Sequence, residues 1–283
     1  MPKKLQAYLQ LMRFHKPVGI LLLLWPTLWA LWIASKGRPS LFLVTVFTLG
    51  TVVMRAAGCV INDIADRKFD AYVTRTQYRP LTTGLLSVKE ALIAFILLSA
   101  LALGLVLLLN RLTIQLAFVG LLLAILYPFT KRWFPWPQFF LGAAFSWSVM
   151  MAFTAVLNKI PFIAWWVYAI ALIWPLMYDT EYALVDREED RAIGIHSTAL
   201  QWGAHTQTVV VVLQIIVVAL WAGLGIVLHF KALYFISVLL AAVSLAYQSY
   251  LLRVPEPTRC FKAFSNNQWV GLIIFLGIVF TYR

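Results

Sequence analysis

The sequence predicts an all-α membrane protein, a single bundle of about nine transmembrane helices formed by one domain over residues 1–283. Three observations carry this. The chain is 62% hydrophobic and only 12% charged, with a mean hydropathy of +0.85, far too apolar for a soluble domain of this length. Its apolar residues gather into runs close to the ~20 residues that cross a hydrocarbon core. Its charges fall between those runs, and unevenly: under nine alternating spans, 17 of the 23 Lys and Arg lie on one face and 6 on the other.

Taken in order, residues 1–16 precede the first span with Lys3, Lys4, Arg13 and Lys16, and Leu5, Leu9 and Met12 fall near one stripe, which suggests an interfacial helix. The run that follows is too long for a signal peptide and has no small-residue cleavage site, so it reads as a retained helix. The spans are expected near 18–34, 41–61, 90–109, 112–129, 138–157, 162–182, 208–228, 232–252 and 267–282. The long polar connections, 62–89 and 183–207, share one face, whereas connections on the other are short, as in 35–40 and 158–161. By the positive-inside rule the 17-residue face is cytoplasmic. The net charge of +12 is explained by topology and anionic lipid, without nucleic acid. Cys59 and Cys260 stand in no paired motif and read as buried free thiols; the four histidines show no ligand spacing.

All 11 acidic residues share the cytoplasmic face, most of them in two clusters, Asn62-Asp63-x-x-Asp66-x-x-x-Asp70 and Asp179 to Asp190. Acids crowded together repel unless a cation lies between them. Positions i, i+4 and i+8 run along one helical stripe, so Asn62, Asp66 and Asp70 converge if the second span continues past the membrane edge. One amide and two carboxylates suit Mg²⁺, which takes oxygen ligands from one or two carboxylates plus phosphates. Asp186 and Asp190 repeat the i, i+4 spacing at the end of the sixth span, and Asp179 sits two turns before Asp186. Two such stripes facing each other can clamp metal around a diphosphate. A solvated collar of acids and bases is the bland alternative. Asp179 argues against it, because it follows an apolar segment, where a charge is costly and usually functional.

Cations interleave with the acids. Arg75 and Arg79 can reach phosphate oxygens bidentately. Arg55 lies two turns before Asn62, inside the membrane edge, and reads as an anion-binding residue; Tyr127-Pro-x-x-Lys131-Arg132 adds a second cationic point at the end of the fourth span. A cation transporter would place its carboxylates near the midplane rather than at one end. A CDP-alcohol phosphotransferase would frame its aspartates with glycine and alanine-arginine pairs that are absent from this chain.

These motifs resemble those of the UbiA superfamily of intramembrane prenyltransferases. Added to them are Lys16-Pro-Val-Gly19, the tryptophan-rich segment Leu24 to Trp32, Arg79-Pro-Leu-x-x-Gly84, Leu141 to Phe145, Tyr178-Asp-Thr-x-Tyr-Ala183 and Cys260 to Phe264. Within the superfamily they are most similar to the 4-hydroxybenzoate polyprenyltransferase branch of ubiquinone biosynthesis, and the likeness covers essentially the whole chain. It implies nine helices around a central cavity, open to lipid at the side and capped by the loops 62–89 and 183–207 on the cytoplasmic side of a bacterial inner membrane. It implies Mg²⁺ and diphosphate at Asn62, Asp66, Asp70, Asp186 and Asp190, with Arg67, Arg75 and Arg79 on diphosphate or closing the cap. Arg55, Lys131 and Arg132 would hold phosphate or an aromatic carboxylate, Tyr127 and Tyr178 would border the substrates, and Asp179 would serve as base. The implied substrates are a polyprenyl diphosphate and 4-hydroxybenzoate, with no obligate protein partner. Another aromatic acceptor within the superfamily is the nearest alternative.

Overall fold

The computed structural model describes residues 3–283, and among them every regular element is helical. The helices are α1 (Lys3–Leu11), α2 (Val18–Ala34), α3 (Leu41–Asp66), α4 (Val88–Val106), α5 (Arg111–Thr130), α6 (Pro137–Leu157), α7 (Phe162–Ala183), α8 (Arg187–Ile193), α9 (Thr198–Gln201), α10 (Thr206–Val227), α11 (Ala232–Leu251) and α12 (Pro257–Thr281). Eight are long and apolar enough to cross a membrane; α2 is apolar but has 17 residues, the lower limit for a span. The chain is a multi-pass membrane protein. Met1 and Pro2, the start of the expected interfacial segment, lie outside the described residues.

Local chemistry explains where the helices start and stop. The Ser40 hydroxyl accepts from Leu43 N–H at the start of α3, and Ser87 with Glu90 forms a reciprocal capping box on α4. Asn110 caps α5 through Thr113 N–H while its amide donates to Thr154 O at 2.7 Å, which ties α5 to the far end of α6. Pro137 and Pro257 open α6 and α12, where a missing N–H costs nothing.

One boundary and one buried face differ from expectation. The last span begins at Pro257 rather than near 267. Its first turns carry Arg259 and Lys262, which mask the span in hydropathy, but Cys260, Ala263 and Asn267 form its buried face. Both cysteines are free and buried. In α1 the buried positions are Ala7 and Leu11, packed with Val60, Leu86 and Ala91, while Leu5 of the expected stripe is 48% exposed. Packing on α3 chose a face that the apolar pattern did not.

The bundle has a solid half and a hollow half. α2, α6, α7, α10, α11 and α12 share one core, in which Trp29 stacks at 5.2 Å on Trp174 and meets Trp221 edge-on at 5.8 Å. Small residues allow these helices to approach: a Cβ on Gly142 would lie 2.5 Å from Leu172 O where α6 crosses α7. Gly142→Ala is therefore expected to destabilise the bundle by about 1–3 kcal/mol, read as a lower midpoint of thermal unfolding in detergent. α4 and α5 lean on α3 and α6 and leave a space between the two halves.

Candidate functional site

That space is a cavity of about 940 Å³ bordered by α2 to α7, by the first turns of α12 and by the connections at their acidic end. Alternating spans carry the ends of α3, α5 and α7 to the same side, so chemistry distant in sequence meets there. Asn62, Asp66, Asp70, Asp179, Asp186 and Asp190 all line it. So do Arg55, Arg75, Arg79, Tyr127, Lys131 and Tyr178.

The expected helical stripes are broken. α3 ends at Asp66, so Asn62 and Asp66 share a stripe, with the Asn62 amide donating to Asp66 at 3.2 Å, but Asp70 lies beyond it in the short 3₁₀ turn Asp70–Tyr72. Asp70 is brought back by the loop itself: Arg79 donates to it at 2.8 Å and Thr76 Oγ1 bonds its carbonyl at 2.8 Å. α7 stops at Ala183, and Asp186 starts the separate helix α8, so Asp186 and Asp190 share one turn (2.8 Å from Asp190 N to Asp186 O) whereas Asp179 belongs to a different helix. The Asp179 carboxylate makes no hydrogen bond or ion pair among the described residues and borders the lumen.

Each of three acids is answered by a cation. Lys131 Nζ lies 3.0 Å from Asp66, Arg79 holds Asp70, and Arg75 grips Asp186 through Nε at 3.1 Å and through its terminal nitrogen, its guanidinium 4.7 Å from the centre of the Tyr182 ring. Arg75–Asp186 and Thr74–Glu189 (2.6 Å) join the two long connections over the cavity mouth. Burial alone would lower Lys131, but Asp66 and Tyr127 outweigh it and hold the ammonium above its usual range. Burial raises Asp70, with Arg79 opposing and Asp63 and Asp66 adding. Asp190, which has no ion pair among the described residues, is pushed up to about 7 by burial, opposed by Lys131 and reinforced by Asp186.

Arg55 occupies space that Gly19 leaves open: a Cβ there would lie 2.6 Å from its guanidinium. It touches the Cys59 thiol, and its Nε is buried without an acceptor. Tyr178 is buried with its hydroxyl unpartnered, packed edge-on to Trp174 at 5.3 Å.

Two expected cations face elsewhere. Arg67 is exposed and donates to Ile64 O at the end of α3, and Arg132 donates to Ala65 O at 2.8 Å across the Phe69 and Phe129 rings; neither borders the cavity. A helix end turns neighbouring residues about 100° apart, so Arg67 next to Asp66 and Arg132 next to Lys131 point away.

Other residues, to which the sequence assigns no site role, also border the cavity. Asp63, 1% exposed, receives Arg13 at 2.7 Å and Arg79 at 2.9 Å, which links the segment before α2 to the loop after α3. Lys16 borders the mouth, lowered by burial and by the guanidinium groups of Arg75, Arg13 and Arg79. His15 and His196 also line the cavity. Asp63 was visible only as an acid off the Asn62 stripe, and its partners lie too far along the chain for spacing to reveal. Glu181, inside the second acidic cluster, turns the opposite way, fully buried against Asn267 of α12 at 3.0 Å.

The donors at this end are oxygens, the set that Mg²⁺ prefers. Asn62 Oδ1 is buried without a hydrogen-bond donor, and Asp190 has no cationic partner among the described residues, so both would gain from a bound cation. No three His, Cys, Asp or Glu side chains among the described residues gather into a metal-holding group, because Asp66, Asp70 and Asp186 each turn to Lys or Arg. The residues fit a divalent metal by chemistry, with arginine and lysine occupying their carboxylates.

Comparison with known proteins agrees with this architecture. The chain is 51% identical over 281 residues to a 4-hydroxybenzoate octaprenyltransferase of Coxiella burnetii (strain RSA 493 / Nine Mile phase I), covering 99% of this chain and 98% of that protein. It is 48% identical to the protein of the same name from Vibrio vulnificus (strain CMCP6), covering 98% and 97%. In three dimensions it is similar to the apo structure of a UbiA homolog from Aeropyrum pernix K1, with a TM-score of 0.81 at 25% identity, covering 92% of this chain and 97% of that one. A UbiA homolog from Archaeoglobus fulgidus bound to GPP and Mg²⁺ shares the fold with a TM-score of 0.73 at 20% identity, covering 96% and 99%. The model of the UbiA prenyltransferase family matches residues 23–277, and with nine-tenths of its length inside that match and an acid-and-arginine cavity at the ends of its spans, the chain belongs to the UbiA prenyltransferase family.

Proposed function

We propose that this chain transfers a polyprenyl group from a polyprenyl diphosphate to the ring carbon ortho to the hydroxyl of 4-hydroxybenzoate, releasing diphosphate, as a step of ubiquinone synthesis. One observation carries the reading: a single cavity has acids interleaved with guanidinium and ammonium groups at one end and an apolar lumen behind them. That polarity matches a charged headgroup followed by a long hydrocarbon. The choice of acceptor is supported by full-length relatives named for it at 48–51% identity.

Asn62, Asp66, Asp70, Asp186 and Asp190 would hold Mg²⁺, which supplies Lewis-acid polarisation of the diphosphate oxygens. Arg75, Arg79 and Lys131 bring fixed positive charge to the same end, so the charge that develops on the departing diphosphate meets donors already in place. Arg67 and Arg132, facing outward, hold the loop and helix ends rather than the substrate. Arg55, with one buried N–H unpaired, offers a partner to the acceptor carboxylate. The C1–O bond breaks with its electron pair leaving on diphosphate, and the Tyr127 and Tyr178 rings face the cationic carbon that remains. A ring π pair forms the new C–C bond, and Asp179, free of other partners among the described residues, accepts the displaced ring proton. The joined loops and the apolar wall keep water from the cation. We further assign the acidic end to the cytoplasmic face of a bacterial inner membrane, since 17 of the 23 basic residues lie on that side.

Membranes carrying the chain, supplied with radiolabelled 4-hydroxybenzoate, a polyprenyl diphosphate and Mg²⁺, are expected to move label into the lipid extract. EDTA should abolish the transfer and excess Mg²⁺ restore it. Absence of label with Mg²⁺ present would refute the acceptor, and transfer that persists in EDTA would refute the metal.

A further inference from the structure

Midway along the apolar lumen, the wall is a tryptophan resting on a glycine. Gly120 of α5 and Trp147 of α6 both line the cavity, and a Cβ on Gly120 would lie 2.8 Å from Trp147 Cδ1, well inside carbon contact distance. The indole is held on its other sides. Its Nε1 donates to Leu116 O at 2.7 Å, and its ring meets Tyr168 edge-on with centroids 5.8 Å apart. With α5 behind it and Tyr168 beside it, the ring has the lumen as its free direction.

The level of this contact matters. Gly120 stands eleven residues before Lys131, which meets Asp66 at the polar end, so it lies about 16 Å away along α5 at 1.5 Å per residue. That distance is a few isoprene units from the diphosphate end. The lumen continues past it to Leu109 and Met151.

We propose that the seat of Trp147 on Gly120 sets the bore of the prenyl channel and makes Gly120 a determinant of donor chain length. A methyl group at 120 pushes the indole into the lumen, which obstructs chains that pass this level and leaves untouched those that end before it. The inference rests on the prenyl-transfer reading above.

The test compares kcat/KM for geranyl and octaprenyl diphosphate, with radiolabelled 4-hydroxybenzoate, for the full chain in bilayer nanodiscs. In Gly120→Ala the octaprenyl value is expected to fall at least about tenfold, the scale of one misplaced methyl in an apolar pocket, and the geranyl value to stay within about twofold. Adding Trp147→Leu to Gly120→Ala should restore the octaprenyl value to within about threefold of wild type. Both donors are read on one preparation, so partial loss of fold scales both rates and leaves their ratio unmoved. An unchanged ratio, or a double variant that restores nothing, overturns the proposal. A wild-type chain that transfers from neither donor overturns the functional reading itself, and it does so before any substitution is made.

Discussion

Alanine at Asp66 or at Asp186 is expected to lower prenyl transfer by about a thousandfold or more, a loss of about 4 kcal/mol of transition-state stabilisation. The two acids stand on different helices, at the end of α3 and the start of α8, and both border the charged end of the cavity. Each would give a metal one of its few anionic ligands and each already orients a cation: Lys131 at 3.0 Å from Asp66, and Arg75 against Asp186. Removing either carboxylate also leaves a partly buried cation without its partner, so stability must be measured beside activity. Asparagine softens the second effect, because it keeps the volume and one hydrogen-bonding oxygen for the neighbouring cation while it gives up the charge and exchanges the other oxygen for an amide donor. Asp66→Asn is expected to melt closer to the parent than Asp66→Ala does in detergent and yet lose most of its transfer, the residual turnover needing far more Mg²⁺. Wild-type turnover in either alanine variant would sink the diphosphate-site assignment.

Arg79→Ala should produce the second largest effect, on stability and activity together. Its guanidinium lies 2.9 Å from Asp63 and 2.8 Å from Asp70, whose side chains are 1% and 8% exposed. Asp63 keeps Arg13 at 2.7 Å, whereas Asp70 loses its ion pair. Breaking one side of a buried pair costs about 3–5 kcal/mol, which for a chain of this size corresponds to a drop of roughly 10 °C in Tm. Replacing both partners should cost much less, since the penalty lies in the stranded charge rather than in the missing pair. Arg79→Met/Asp70→Asn is therefore expected to recover most of the thermal loss while remaining inactive. If the double variant melts as low as Arg79→Ala, the pair is not what holds the loop.

What was legible and what was not separates by distance along the chain. The spans could be read because their length is set by bilayer thickness and their composition by the cost of polar groups in hydrocarbon, both properties of contiguous residues. The failures were local where charge masked burial, as at Arg259 and Lys262 in the first turns of α12. The spacing of Asn62, Asp66 and Asp70 brings together residues that do line one cavity, but not by the route it implies. Asp70 reaches the cavity through a 3₁₀ turn and Arg79, not along an extended helix.

Hydropathy and charge placement thus determined the fold class, the alternation of spans and the end at which the acids collect, because each follows from segments of about 20 residues acting alone. The tertiary structure decided which acid meets which cation and which way each one faces. Arg75 finds Asp186 across 111 residues and Arg13 finds Asp63 across 50, while Arg67, Arg132 and Glu181 turn from the lumen although each adjoins or lies among residues that line it. Such pairings depend on where helix ends come to rest against one another, and no periodicity within a single segment encodes that. The same holds for Gly120 and Trp147: neither is unusual in its own helix, and only the packing of α5 on α6 makes them one wall.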